Sequence, residues 1–167
     1  MKKPLSLFLF IVFAVISCKK DDLSTKDQYN KLIAGTWKSN QQNIKIFDLN
    51  TNELLRDSTI MFDGEFSDRA WNEVYNTDGN TFTVTYSRKI GATVATADTT
   101  SYAAYTILGT NLTLKQRIGG TQTKPILVLN TSAMGLQYTY TGMLNQSWGL
   151  AAGATYKIAQ ATYYTKQ

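Results

Sequence analysis

The sequence predicts an all-β domain: an antiparallel up-and-down meander of eight to nine strands, closed as a barrel and led by one short helix. Three observations carry this. Polar and apolar residues alternate with a period of two in several segments. Turn residues recur at short intervals between those segments. Thr, Tyr, Val and Ile are abundant, while the chain holds only two prolines, one of them at position 4.

Taking the elements in order, Ser24-Thr25-Lys26-Asp27 has the form of a capping box with Asp in the reciprocal acid position. Tyr29, Leu32 and Ile33 then fall at i, i+3 and i+4 on one apolar face, and Gly35 sits where a C-terminal cap belongs. Nine strands follow, near 36–48, 53–62, 69–76, 81–90, 100–108, 111–118, 122–130, 135–142 and 155–165. The clearest is Thr81-Phe82-Thr83-Val84-Thr85-Tyr86, which alternates strictly. Leu112, Leu114 and Ile118 oppose Thr113, Lys115 and Arg117, and Leu136, Tyr138 and Tyr140 oppose Gln137, Thr139 and Thr141. Successive side chains of a strand point to opposite faces, so each of these has one buried and one wet face. Turns are expected at Asn50-Thr51-Asn52, Asp63-Gly64, Asp78-Gly79-Asn80, Gly109-Thr110-Asn111, Gly119-Gly120 and Asn130-Thr131-Ser132. No repeat at a solenoid or propeller period is visible, so the meander closes as a barrel or folds as a sandwich.

The N-terminus has a different character. Lys2 and Lys3 precede an apolar run from Leu5 to Ile16, which ends on Ser17 and Cys18. A basic start, a short apolar core and a small-residue cleavage site make a secretory signal. A run of twelve residues is too short to span a bilayer, which needs about 20. The expected organisation is a signal over 1–17 that is removed, a tether over 18–28 and the barrel domain over 29–167. Val15-Ile16-Ser17-Cys18 resembles a bacterial lipobox, which implies that Cys18 becomes the acylated N-terminus and anchors the protein in a membrane. Cys18 is the only cysteine, so no disulfide competes for it. Several acyl chains, at about 0.8 kcal/mol per buried CH₂, make such an anchor stable. Cys18-Lys19-Lys20-Asp21-Asp22 further resembles the export signal of Bacteroidota lipoproteins. That implies the outer membrane, with display on its outer face.

Composition narrows the function. Removing residues 1–17 takes away Lys2 and Lys3 and leaves 15 basic and 12 acidic residues, a net charge of +3. With no Lys/Arg cluster to track phosphates, and with export, nucleic acid is not an expected partner. The chain has no histidine, which excludes Ser-His-Asp and Cys-His catalysis and His-based zinc sites. Carboxylate chemistry stays open in principle, but Asp48, Asp57, Asp63, Asp68 and Asp78 sit in turn-like contexts. The expectation is a non-enzyme without cofactor or metal.

Leu32-Ile33-Ala34-Gly35-Thr36-Trp37 resembles the Gly-x-Trp that opens the first strand of lipocalins. Tyr105 to Leu114, and Ile126-Leu127-Val128-Leu129 through Ser132 to Leu136, resemble the late hairpins of lipocalin-like domains on bacterial lipoproteins. The resemblance implies a barrel with Trp37 packed across its closed end, below the helix. It has departures. The central Thr-Asp-Tyr motif is missing, with Thr77-Asp78-Gly79 better read as a turn. No Arg follows Arg117 to cover the Trp, a place left to Lys157 or Lys166.

A barrel of eight strands is wide enough to hold side chains or one small ligand. The candidate lining residues are Trp71, Tyr75, Phe82, Tyr86, Tyr105, Leu114, Tyr138 and Tyr140. Ten tyrosines in the chain suit a half-polar cavity, because each buried hydroxyl needs a partner. The connection over 143–153 adds Trp148, as a lid, a partner contact or a plug. Two functions follow: a module binding a small apolar or glycan-like ligand, or a structural or interaction lipoprotein with a filled barrel, acting through its rim and the 143–153 loop.

Overall fold

The computed structural model describes residues 25–62, 70–87, 96–116, 120–144 and 148–167. The acylation and export residues Cys18, Lys19, Lys20, Asp21 and Asp22, like Ile118 and the turns at Asp63-Gly64 and Gly119, lie outside them.

One helix, α1 (Thr25–Ile33), precedes nine strands. These are β1 (Gly35–Asp48), β2 (Leu54–Met61), β3 (Trp71–Tyr75), β4 (Thr81–Ser87), β5 (Thr96–Leu108), β6 (Asn111–Gln116), β7 (Thr121–Leu129), β8 (Ala133–Met143) and β9 (Thr155–Lys166). All pairings are antiparallel between neighbours in the order β2-β1-β3-β4-β5-β6-β7-β8-β9, and β1 pairs again with β9 to close the sheet. The predicted class holds, as a nearly closed eight-stranded barrel in which β2 is an extra flap.

Short side chains fix the turns. Asp48 Oδ1 accepts from the backbone N–H groups of Asn50 and Thr51 at 2.9 and 2.8 Å. Asn130 Oδ1 does the same for Ser132 and Ala133, and Asp78 Oδ1 for Asn80, beside Gly79 at φ +87°. Asp57 departs from expectation. It lies inside β2, where it accepts from Asn43 Nδ2 and pairs with Lys45.

The closed end sits under α1. Trp37 is fully buried among Ile33, Tyr75, Ile107, Leu112, Met134 and Tyr164, and its indole N–H donates to the Ile33 carbonyl at 2.6 Å. Of the two lysines offered for the cover of Trp37, it is Lys166 that takes the place. Its Nζ lies 5.0 Å from the Trp37 ring centroid and donates to the Leu32 carbonyl. Lys157 instead stands over Phe47. Gly35, at φ +127°, makes the helix-to-strand corner. A Cβ there would come within 2.9 Å of Lys166 Cε.

Away from α1 the barrel separates. β1 bonds β3 only from Gly35 to Lys38, and beyond the irregularity near Asn40 it bonds β2 instead. β7 bonds β8 only over Ile126–Leu129 against Met134–Leu136. Above these levels two leaves face each other. The first is β3 to β7. The second is β8, β9, the upper half of β1, and β2.

Candidate functional site

Between the leaves lies a cavity of about 390 Å³. Trp71 and Glu73 from β3, Thr83 and Thr85 from β4, and Gln122 and Lys124 from β7 form one wall. Leu136 and Tyr138 from β8, with Gln160, Thr162 and Tyr164 from β9, form the other. The register explains the sets: Trp71 pairs with Thr85 and Glu73 with Thr83, so these four side chains share one face.

Glu73 is the electrostatic centre. It is 5% exposed and accepts from the hydroxyls of Tyr75 and Tyr164, the latter at 2.6 Å. The Trp71 indole N–H points to the same carboxylate at 3.5 Å, and Lys124 Nζ stands 3.6 Å from it. Burial alone would push the Glu73 carboxyl up. The charge of Lys124 and the hydrogen bonds from Tyr164, Tyr75 and Trp71 outweigh it and hold the group below its ordinary range. The Tyr164 hydroxyl is pushed well above its ordinary value, first by burial and then by the Glu73 charge. An ionised carboxylate that accepts from two tyrosine hydroxyls is the resting state.

Trp71 is held from several sides. Its backbone N–H donates to Ser39 Oγ, and its ring packs edge-on against Phe62 at 5.2 Å and Tyr164 at 6.2 Å. Tyr138 lines the opposite wall, with Tyr140 stacked on it at 5.4 Å and 36% exposed.

The residues expected to line a cavity thus separate. Trp71 and Tyr138 line it, and Tyr140 extends the Tyr138 face towards the open end. Tyr75 reaches the site with its hydroxyl on Glu73, and its ring lies in the closed-end cluster against Tyr105. Tyr105 and Leu114 belong to that cluster and not to the cavity wall. Phe82 is a correction: the threonines of β4 face the lumen and Phe82 faces out, because this lumen is polar and the apolar face of β4 is the outer one. Tyr86 pairs with Ala97 in the ladder, and its side chain lies outside the described set. Trp148 is not on the wall either. With Leu144, Leu150 and Ala154 it packs on Ile44, Ile46, Tyr156 and Ile158, a second apolar cluster on the inner face of the second leaf.

Glu73, Thr83, Thr85, Gln122, Lys124, Leu136, Gln160, Thr162 and Tyr164 were not singled out from the sequence. The available signal was Glu73 itself, an acid alternating with Trp71 and Tyr75 within one strand. A larger hollow of about 580 Å³ lies at the closed end, between α1, the β3–β4 turn and β5. It lies outside the polar belt between the leaves, so the lumen cavity is the candidate site. Among the described residues no three His, Cys, Asp or Glu side chains gather as a metal site would require.

The fold and this cavity define a class: a small antiparallel β-barrel with a half-polar lumen open at one end. No protein-family model matches the chain, and no curated protein or solved structure shows a significant match to it.

Proposed function

We propose that this chain is a lipocalin-like lipoprotein of the bacterial envelope, of the Bacteroidota type, which holds a small apolar or glycan-like ligand between the leaves of its barrel. The observation that supports it most is the cavity itself: about 390 Å³, within the range of roughly 300–1,000 Å³ usual for small-molecule sites, with aromatic surface on both walls and many converging polar groups. The anchor in this reading is Cys18, and the membrane is the outer one. The six residues 19–24 reach at most about 20 Å when extended, so the closed end with α1 stays near the bilayer. Catalysis, cofactors and nucleic acid have no part in the proposal.

Native mass spectrometry of the protein released from its own membrane tests ligand and anchor together. The expected result is an acylated chain carrying one additional small-molecule mass. A chain with no such mass favours the filled-barrel interaction protein, for which the packing of Leu144, Trp148, Leu150 and Ala154 on the second cluster speaks. Cys18→Ser is expected to leave the membrane fraction or to stay unprocessed. Alanines at Lys19, Lys20, Asp21 and Asp22 are expected to keep the lipid and lose surface labelling.

A further inference from the structure

Resting on the reading that a ligand sits between the leaves, we propose that this ligand is a neutral, polyhydroxylated compound of saccharide type. The wall decides its chemistry. Among the described residues Thr83, Gln122 and Gln160 make no hydrogen bond through their side chains, and neither does the Tyr138 hydroxyl. Among the described residues Lys124 has one ion-pair contact, at 3.6 Å, beyond hydrogen-bond length, and spends none of its three N–H donors on a hydrogen bond. These five side chains come from four strands on both leaves and converge on one cavity.

An apolar occupant would strip water from all five and give nothing in return, at about 1–3 kcal/mol for each group so buried. Charged ligands fare no better. Among the described residues Glu73 and Lys124 are the only charged ones lining the cavity, and they already face each other. A cation would have to displace Lys124 from a carboxylate that two tyrosine hydroxyls also satisfy. An anion drawn to Lys124 would come to rest beside the buried Glu73 charge. Either adds a net charge to a partly dried, neutral site.

Hydroxyl groups suit what remains. Glutamine amides and threonine and tyrosine hydroxyls both donate and accept, and Lys124 donates, so a ligand rich in hydroxyls satisfies each in turn. Trp71 and Tyr138 offer aromatic surface on opposite walls to the C–H faces of a ring.

The test is an array of neutral and acidic glycans probed with the full mature chain, with calorimetric titration of palmitate beside it. Retention of neutral glycans is expected, weakened at least tenfold in the Gln122→Leu/Gln160→Leu double variant and in Tyr138→Ala, with melting temperatures within a few degrees of the parent. Retention of neutral glycans that both variants leave unchanged would place them elsewhere and overturn the inference. Preference for acidic glycans would overturn neutrality. Palmitate binding that the double variant strengthens would overturn the saccharide class while keeping a ligand between the leaves. No retained glycan, no palmitate uptake and no additional mass on the native protein would overturn both readings.

Discussion

The two leaves of the barrel cover their inner faces in different ways. The second leaf presents Ile44, Ile46, Tyr156 and Ile158, and Leu144, Trp148, Leu150 and Ala154 of the same chain pack on them. The first leaf presents Thr83, Thr85, Gln122 and Lys124, which no described segment covers. Apolar surface exposed to water is unfavourable, so the second leaf needs a permanent lid of the chain's own making. A polar wall is content in water and can exchange that water for a ligand. The difference separates what the interior does to stay folded from what it keeps available.

The same division runs along single strands. On β9, Tyr164 belongs to the closed-end cluster, Thr162 and Gln160 to the cavity, and Ile158 to the second cluster. All four lie on one face. Period two identifies a face but says nothing of depth along it, and depth decides whether that face is dry, wet or dry again.

The largest effect that sharpens this contrast is expected at the closed end. Trp37→Ala removes a fully buried ring under α1, and truncations of this kind cost about 3–5 kcal/mol. A fall in melting temperature of more than about 10 °C follows for a domain of this size, measured by circular dichroism. A change of only a few degrees would mean that the closed end does not carry the fold.

Glu73→Gln comes next. Removing one partner of a buried charge pair costs about 3–5 kcal/mol, and here the lower end applies because Lys124 reaches the open cavity. The pH dependence has a definite sign. Glu73 is held below its ordinary value of 4.5, so its contribution is complete above that pH and is lost as pH falls through the lower folded-state value. Denaturant melts at pH 7 and pH 3 are therefore expected to show a stability gap between parent and variant that narrows in acid. A gap independent of pH would remove the ionised carboxylate from the account.

Trp148→Ala is expected to cost less, about 1–2 kcal/mol, since the ring is only half-buried on the second cluster. Glycan retention should be unchanged in this variant. Lost retention at normal stability would make Trp148 part of the site and erase the difference between the leaves.

Smallest of all is Lys45→Ala. Its bridge to Asp57 is exposed at both ends, so a change within about 0.5 kcal/mol is expected in the same melts.

Much of the fold was legible in the sequence because the period-two signal and the turn residues agree along the whole chain. The nine strands fall where those signals put them, and Gly35-Thr36-Trp37 begins β1 at the closed end. The site was less legible. Thr81 to Tyr86 alternates as cleanly as any strand here, and the ordinary rule turns its apolar face inward. β4 does the opposite, because its partners on β3 are Trp71 and Glu73 and the lumen at that depth is polar. Which face is inside depends on neighbouring strands, and no single strand encodes it. Lys124 was hidden for the same reason: it meets Glu73 only once β7 has come round the barrel.

The three tryptophans divide among the three depths of the interior, and so provide one direct measurement. Trp37 lies in the closed end, Trp71 on the cavity wall and Trp148 in the second cluster. In a ¹⁵N–¹H spectrum each gives its own indole N–H signal, which can be followed as a neutral glycan retained on the array is added. The Trp71 signal is expected to move to saturation, while Trp37, bonded to the Ile33 carbonyl, stays where it is and Trp148 shifts little. A Trp71 signal that does not move while Trp148 or Trp37 does would contradict it, and would place the ligand away from the polar belt between the leaves.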